Sequence, residues 1–134
     1  MLNKKVNDNS QSLHKKYKGV VIMRNMVSLT GYVAGAPKVF ENKDGSKKVF
    51  LTVGVGTGKK DKNEKEITNF VSTEALIKAG VTNDPITKLQ VGDLVEIDAE
   101  IRTSSYKDMD DEFQKTIHTQ VVFITKCNTL RKKA

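Results

Sequence analysis

The chain has 134 residues, with 23 Lys and Arg against 16 Asp and Glu, one Cys and no Trp. This length supports one domain with its own core, and no apolar run approaches the roughly 18–20 residues of a membrane-spanning helix. The single Cys127 excludes a disulfide scaffold, and no apolar segment typical of a signal peptide follows the N-terminal lysines. We therefore expect a cytoplasmic protein without membrane contact.

The formal net charge of +7 is concentrated near the two ends of the sequence. Residues 1–24 carry six bases and one acid, and residues 128–134 carry three bases and no acid. Residues 25–127 hold the remaining 14 bases and 15 acids, a balance of −1. Charge is therefore a weak indication of nucleic-acid binding, because basic ends that only improve solubility explain it about equally well.

Composition divides the chain into three parts. Residues 1–24 are polar and aperiodic, so we expect a basic, disordered N-terminal extension. Residues 25–127 are expected to form the folded domain, and residues 128–134 a short basic tail. Codons for Lys18 and the residues after it can resemble a bacterial ribosome-binding site, so we hypothesise that translation starts at Met23 or Met26.

The first strand is predicted to begin at Val27. Val27 and Leu29 alternate with small polar residues up to Gly31, which is typical of a half-buried strand. The Gly-Ala-Pro at residues 35–37 is expected to break this strand. Residues 42–45, Asn-Lys-Asp-Gly, predict a tight turn.

The second and third strands are predicted on either side of a loop. The inward residues of the second strand are Val49, Leu51, Val53 and Val55. Phe50 has the opposite parity and should face outward. Residues 56–66 are expected to form a lysine-rich loop, residues 67–73 the third strand, and residues 74–79 a short helix ended by Gly80.

Two more strands are predicted after a connection over residues 81–90. The inward residues of the fourth strand are Val95, Ile97, Ala99 and Ile101. An acidic loop at residues 108–112 should lead into the last strand, from about Phe113 to Cys127. Five strands with one helix between the third and fourth predict a mainly β fold, a five-stranded Greek-key barrel of the OB type, whose ligands bind on strands 2 and 3 and the flanking loops.

Four segments resemble the bacterial and phage single-stranded DNA-binding protein family over about residues 25–127. The stretch NMVSLTGYV at residues 25–33, followed by Pro37, is similar to the family's first strand. TNFVS at residues 68–72 resembles the third strand of the Gram-positive form. GDLVEI at residues 92–97 and IRTSSY at residues 101–106 resemble the fourth strand and the loop after it.

The resemblance implies a non-catalytic protein that coats single-stranded DNA in replication, recombination and repair, as a homodimer or homotetramer. The family's stacking aromatics correspond to Phe70 and Tyr106, whereas two others fall at Leu76 and within residues 56–58, so two platforms are missing. The acidic-tipped tail that recruits partner proteins in the usual cellular members has no counterpart in the short basic end. This difference favours a minimal phage or plasmid version that does not recruit replication proteins through such a tail.

Binding of a single strand needs aromatic rings for the bases and cations for the phosphates. The candidate DNA-binding residues are Phe50, Phe70, Tyr106, Arg102, Lys48, Lys59, Lys60, Lys62, Lys107 and Lys115. Two of these assignments have a competing interpretation. Phe70 could be a core residue, and the lysine-rich loop, with its interleaved acidic residues, could be an ordinary solvated loop. The acidic residues 108–112 would repel phosphate, and the DNA interpretation does not account for them.

No catalytic, metal or cofactor site is predicted. The glycines of residues 54–60 lack the spacing of a phosphate-binding loop. His14, His118 and Cys127 cannot supply a zinc set, and the last two lie too far apart on one strand to act as a nucleophile–base pair. The alternative to DNA binding is an OB module for protein interaction or RNA binding. We expect Phe50, Phe70 and Tyr106 to share one exposed face if the DNA interpretation is correct.

Overall fold

Alternating apolar and polar residues build five strands that close into a barrel. The computed structural model describes residues 23–134, and the extension predicted over residues 1–24 therefore lies almost wholly outside the described residues. The strands are β1 (Val27–Glu41), β2 (Lys47–Lys60), β3 (Glu66–Ile77), β4 (Leu94–Lys107) and β5 (Thr116–Arg131). One turn of 3-10 helix, Pro85–Lys88, joins β3 to β4; within residues 23–134 no helix has the length and apolar character needed to cross a membrane.

The strand order around the closed barrel is β1-β2-β3-β5-β4. All neighbouring strands are antiparallel except β3 and β5, which run parallel where Thr73 and Glu74 meet Val122 and Phe123. This is the five-stranded OB barrel that the order of elements predicts, and the fold prediction is confirmed.

The core fills the barrel with the residues of one parity from each strand. Most of the inward positions predicted for β2 and β4 are buried, and Val55 is half-buried, because successive side chains of a strand point to opposite faces. The buried apolar residues are Val33, Val49, Leu51, Val53, Ala75, Ile77, Ile86, Leu89, Val95, Ile97, Ala99 and Ile124. β1 and β2 approach each other closely at Gly31, because a Cβ on this residue would lie 2.4 Å from the carbonyl oxygen of Gly54.

The predicted helix at residues 74–79 is wrong. β3 continues to Ile77, with Thr73, Ala75 and Ile77 buried and the residues between them facing outward, so the period is two. The helical turn lies further on, where the Asp84 carboxylate accepts a hydrogen bond from the Ile86 amide at 3.0 Å and proline occupies the first turn.

Two predicted interruptions are also strands. β1 runs through residues 35–37 and absorbs them as irregularities in its register with β2. The predicted loop at residues 56–66 is the outer part of the β2–β3 hairpin, with a turn in which Asp61 Oδ1 accepts from the amides of Asn63 and Lys65. A short turn is enough because this carboxylate satisfies two of its backbone donors.

The fourth and fifth strands extend beyond the barrel as a two-stranded ribbon. β4 continues to Lys107, so Ile101 lies past the core and is exposed rather than inward. β5 begins at Thr116 and ends at Arg131, which is later at both ends than predicted, so most of the predicted tail 128–134 belongs to the last strand. Asn25 extends the β1–β4 pairing, since its side-chain amide exchanges two 2.7 Å hydrogen bonds with the backbone of Ile101.

Candidate nucleic-acid interface

Outward-facing aromatic residues of β1, β2 and β3 form one exposed surface, which we call the aromatic face and define as Tyr32, Phe40, Phe50 and Phe70. The strand register arranges the outward residues in rows across the three strands. One row is Tyr32–Gly54–Phe70. The Phe70 ring is 69% exposed and lies against Gly54, where a Cβ would be 3.5 Å from its Cε1 atom. Glycine therefore leaves room for the ring to lie flat on the sheet.

A second pair of rings lies further along β2. The Phe40 and Phe50 centroids are 5.6 Å apart, with the ring planes at 80°. Lys48 Nζ is 5.7 Å from the Phe50 centroid and 3.6 Å from Glu74 Oε2. Phe50 faces outward as its parity predicts, and it is half-buried because its neighbours cover part of the ring.

A groove of about 580 Å³ separates the two pairs of rings. Its lining comes from β1, β2, β3 and β5 and includes Phe50. The small polar side chains of Thr52 and Ser72 lie in the row between the aromatic pairs, and Gln120 and Val121 of β5 line the side. A second groove of about 380 Å³ contains Tyr32 and Phe70. The face thus offers flat apolar surfaces with hydrogen-bonding groups between them.

Arg102 lies beside the aromatic face and is already engaged. Its guanidinium is 3.6 Å from the Phe123 ring centroid, and its Nε donates to Glu100 Oε1 at 2.6 Å. It shares a small groove of about 200 Å³ with Lys48 and Leu76. Part of its charge is therefore neutralised by Glu100, while the edge of the face gains a second cation.

Tyr106 is not part of the aromatic face. It is paired with Ile117 near the end of the β4–β5 ribbon, on the same side of β4 as Arg102 but four residues further along. At about 3.4 Å per residue this places the two positions about 14 Å apart. The expectation that Phe50, Phe70 and Tyr106 share one face holds for the two phenylalanines and not for the exposed Tyr106.

The candidate lysines other than Lys48 are exposed and lie at the ends of the two hairpins. Lys59, Lys60 and Lys62 occupy the end of the β2–β3 hairpin, where Lys60 Nζ is 3.9 Å from Glu64 Oε2. Lys107 and Lys115 flank the tip of the β4–β5 ribbon. The structure thus brings Phe50, Phe70, Lys48 and Arg102 together around the grooves. The other candidate residues lie toward the ends of the two hairpins.

The acidic residues of the ribbon tip have a structural role that the sequence did not reveal. Asp108 Oδ1 accepts from the amide of Asp110 at 3.0 Å, and Asp111 Oδ1 accepts from the amide of Phe113 at 3.3 Å. Short polar side chains that hydrogen-bond two residues onward are typical of tight turns. The carboxylates therefore shape this turn, although their charge still opposes phosphate nearby.

Tyr32 and Phe40 were missed in the sequence. Tyr32 lies between the buried Gly31 and Val33, so strand alternation was sufficient to place it outward. Phe40 is not predicted as an outward residue of β1, because the Gly-Ala-Pro at residues 35–37 predicts a break in that strand. Both residues contribute to the aromatic face from the first strand.

Side chains suited to metal binding or nucleophilic chemistry are not gathered in the described part of the chain. No group of three or more His, Cys, Asp or Glu is placed to hold a metal within residues 23–134. Burial raises the pKa of the Cys127 thiol, and the nearby Asp84 carboxylate raises it further. Such a thiol is a poor nucleophile at neutral pH.

Comparisons with known proteins yield no match to a protein-family model and no match to the sequence of a curated protein. A function for this protein is therefore inferred from its fold and its aromatic face.

Proposed function

We propose that this protein binds single-stranded DNA without catalysing a reaction, and that it coats exposed strands during replication, recombination and repair. Bases stack on the aromatic face, and phosphates contact the surrounding lysine and arginine side chains. The observation that carries the proposal is the presence of four outward-facing aromatic residues on three adjacent strands, beside a groove lined in part by Thr52 and Ser72.

Stacking on this face supplies the larger part of the affinity. Each base that stacks on an aromatic ring contributes on the order of 1–3 kcal/mol, whatever its identity. The ring of Phe70 is mostly exposed, so core packing does not explain its presence on the sheet. A base on Phe70 and another on Phe50 would lie on either side of the row that contains Thr52 and Ser72.

Cations at the edges of the aromatic face supply the part of the binding affinity that depends on salt. Lys48 and Arg102 line the groove of about 200 Å³ beside the face, and the other candidate lysines lie at the ends of the two hairpins. Release of counterions from the bound strand makes affinity fall with salt. Because Lys48 and Arg102 each contact a glutamate, we expect a modest salt dependence from them.

The resemblance in sequence also supports a homo-oligomer, a dimer or a tetramer. Light scattering on the free protein and on its complex with an oligonucleotide measures the number of copies. A mass corresponding to one copy in both states would contradict this part of the proposal.

RNA is the second candidate ligand. Stacking does not distinguish ribose from deoxyribose, and the hydroxyl groups of Thr52 and Ser72 in the groove can pair with a 2′-hydroxyl. An RNA strand is therefore included in the test.

Fluorescence anisotropy tests the proposal with a labelled oligo-dT, a duplex of the same length and an oligo-rU, each at several salt concentrations. We expect tight binding of oligo-dT that weakens with salt, and weaker binding of the duplex because its bases are already stacked. Preference for oligo-rU would keep the interface and change the ligand. No binding of either single strand at low salt would overturn the proposal.

A further inference from the structure

The basic C-terminal end of β5 reaches the aromatic face from the side opposite Phe70. The register of all five strands places Phe70, Gly54, Tyr32, Leu94 and Arg131 in one row around the barrel. Arg131 Nη2 donates a hydrogen bond to the Tyr32 hydroxyl oxygen at 2.9 Å. The last strand therefore supplies a cation at the edge of a groove that Tyr32 and Phe70 line.

Asp93 fixes the chain that follows Arg131. The Asp93 side chain is fully buried, its Oδ1 accepts from the Lys133 amide at 2.9 Å, and its Oδ2 accepts from the Gln90 amide and from Lys132 Nζ at 2.9 and 3.0 Å. The stem of Lys133 also covers Gly92, whose φ of +96° and missing Cβ permit this approach. Residues 131–133 are thus held against the barrel.

The charge of Arg131 is more available than the charges of Lys48 and Arg102. Lys48 lies close to Glu74 and Arg102 close to Glu100. Arg131 is exposed and forms no ion pair with an acidic side chain among residues 23–134. An arginine has five N–H donors in a planar fork, so the hydrogen bond to Tyr32 leaves others free for a phosphate.

We propose that Arg131 is a phosphate-binding residue of this interface and that it also positions the Tyr32 ring as a stacking platform. This inference rests on the proposed function and adds a contact from the end of β5. The Tyr32–Phe70 groove accepts a base, and Arg131 binds the phosphate next to that base. The acidic residue lining this groove, Glu66, lies toward its other end, over Gly56.

Three variants separate the charge of Arg131 from its hydrogen bond to Tyr32. Arg131→Gln removes the charge and keeps a donor, Arg131→Lys keeps the charge, and Tyr32→Phe keeps the ring and removes the hydroxyl acceptor. Lys126→Gln is the matched control, because Lys126 is an exposed residue of β5 that pairs with Asp98 and lines a different groove with Cys127. Thermal melting of each variant verifies that it is folded.

The measurement is the slope of log affinity for oligo-dT against log salt concentration. Loss of one phosphate contact on a single strand lowers the magnitude of this slope by about 0.7. We expect this smaller slope in Arg131→Gln, together with about five- to tenfold weaker binding at low salt. Arg131→Lys and Lys126→Gln should keep the slope of the unaltered protein. Tyr32→Phe should weaken binding without changing the slope, because the ring is less well positioned while the charge remains.

The possible failures are distinguishable. If the unaltered protein does not bind oligo-dT, both the proposed function and this inference are overturned. If it binds but Arg131→Gln has the same slope as Lys126→Gln, the role of Arg131 is overturned while the proposed function stands. If Tyr32→Phe binds as tightly as the unaltered protein, the positioning role is overturned.

Discussion

Phe70 offers the simplest single-residue test of stacking, because its exposed ring contributes little to the core. We expect Phe70→Ala to weaken oligo-dT binding by about 1–3 kcal/mol, or about 5- to 150-fold, while the melting temperature changes little. Anisotropy and thermal melting of the same preparations measure the two effects.

Ile67→Ala is the control for Phe70→Ala. Ile67 is an exposed apolar residue of the same strand, with the opposite parity. Its truncation removes apolar surface without removing a ring from the aromatic face. Equal losses of affinity in the two variants would contradict stacking at Phe70.

Asp93 links the stability of the barrel to pH. Hydrogen bonds from the Gln90 amide, the Lys133 amide and Lys132 lower the pKa of Asp93 to about 2. Because this pKa is below that of the unfolded chain, near 4, the stabilisation is complete above about pH 4 and is lost as the pH falls toward 2. Asp93→Asn points an amide N–H at one of the donors and should lower the melting temperature by several degrees at pH 7.

Melting curves of the unaltered protein and Asp93→Asn between pH 7 and pH 2 test this linkage. The difference in melting temperature should narrow as the pH falls from about 4 to 2. Parallel dependence of the two proteins on pH would show that the Asp93 carboxylate is not the linked group.

At the level of single residues, alternation within a strand predicted the orientation of Phe50 and Phe70 correctly. It could not predict that Phe40 covers Phe50, because that contact depends on the register between β1 and β2. The carboxylate pairing of Arg102 was also missed, although Glu100 lies two residues away on the same face of β4.

At the level of strands, the close approach of β1 to β2 at Gly31 leads to a prediction about stability. A methyl group on Gly31 would lie 2.4 Å from the Gly54 carbonyl oxygen, whereas one on Gly35 would meet nothing within 4 Å. Both glycines lie in β1, so Gly35→Ala is a matched control. We expect Gly31→Ala to lower the free energy of unfolding by about 1–3 kcal/mol or more and Gly35→Ala to change it much less.

Urea denaturation of the two glycine variants gives these free energies. Equal effects would mean that β1 and β2 do not approach each other at Gly31 as closely as described.

The acidic tip of the ribbon makes a prediction about charge. Asp108→Asn keeps an oxygen that can accept the Asp110 amide and removes one negative charge near Lys107 and Lys115. We therefore expect an unchanged fold and binding of oligo-dT that is tighter by up to a few-fold at low salt, with the gain disappearing at high salt. Asp98→Asn, on β4 opposite Lys126, is the control and should not tighten binding.

Anisotropy at low and high salt measures both aspartate variants. A loss of affinity in Asp108→Asn would contradict the interpretation that this charge opposes binding.

Strand boundaries were predicted less well than strand identities. The sequence predicts a helix at residues 74–79 because Gly80 is a typical end of a helix and Glu, Ala and Leu favour helices locally, yet pairing of β3 with β2 and β5 makes residues 74–77 a strand. The lysine-rich composition of residues 56–66 predicts a loop, although hairpin pairing continues to Lys60. In both places contacts between strands outweigh local preference.

At the scale of the whole molecule, the order of elements was sufficient to predict the barrel. The closure itself depends on the parallel contact of β3 with β5 at Thr73 and Glu74, which no local pattern encodes. The end of β5 reaches Tyr32 through the register of β4 with both β1 and β5, so the sequence could not reveal the contribution of Arg131.

The most direct test of the account is to map where a single strand binds. In ¹H–¹⁵N spectra recorded during titration with oligo-dT, we expect shifts at the amides of Tyr32, Thr52, Phe70 and Ser72. The amide signals of residues 86–88 in the 3-10 helix, which lie outside the grooves of the aromatic face, should stay in place. Shifts confined to the helix, or binding without shifts on the aromatic face, would contradict it.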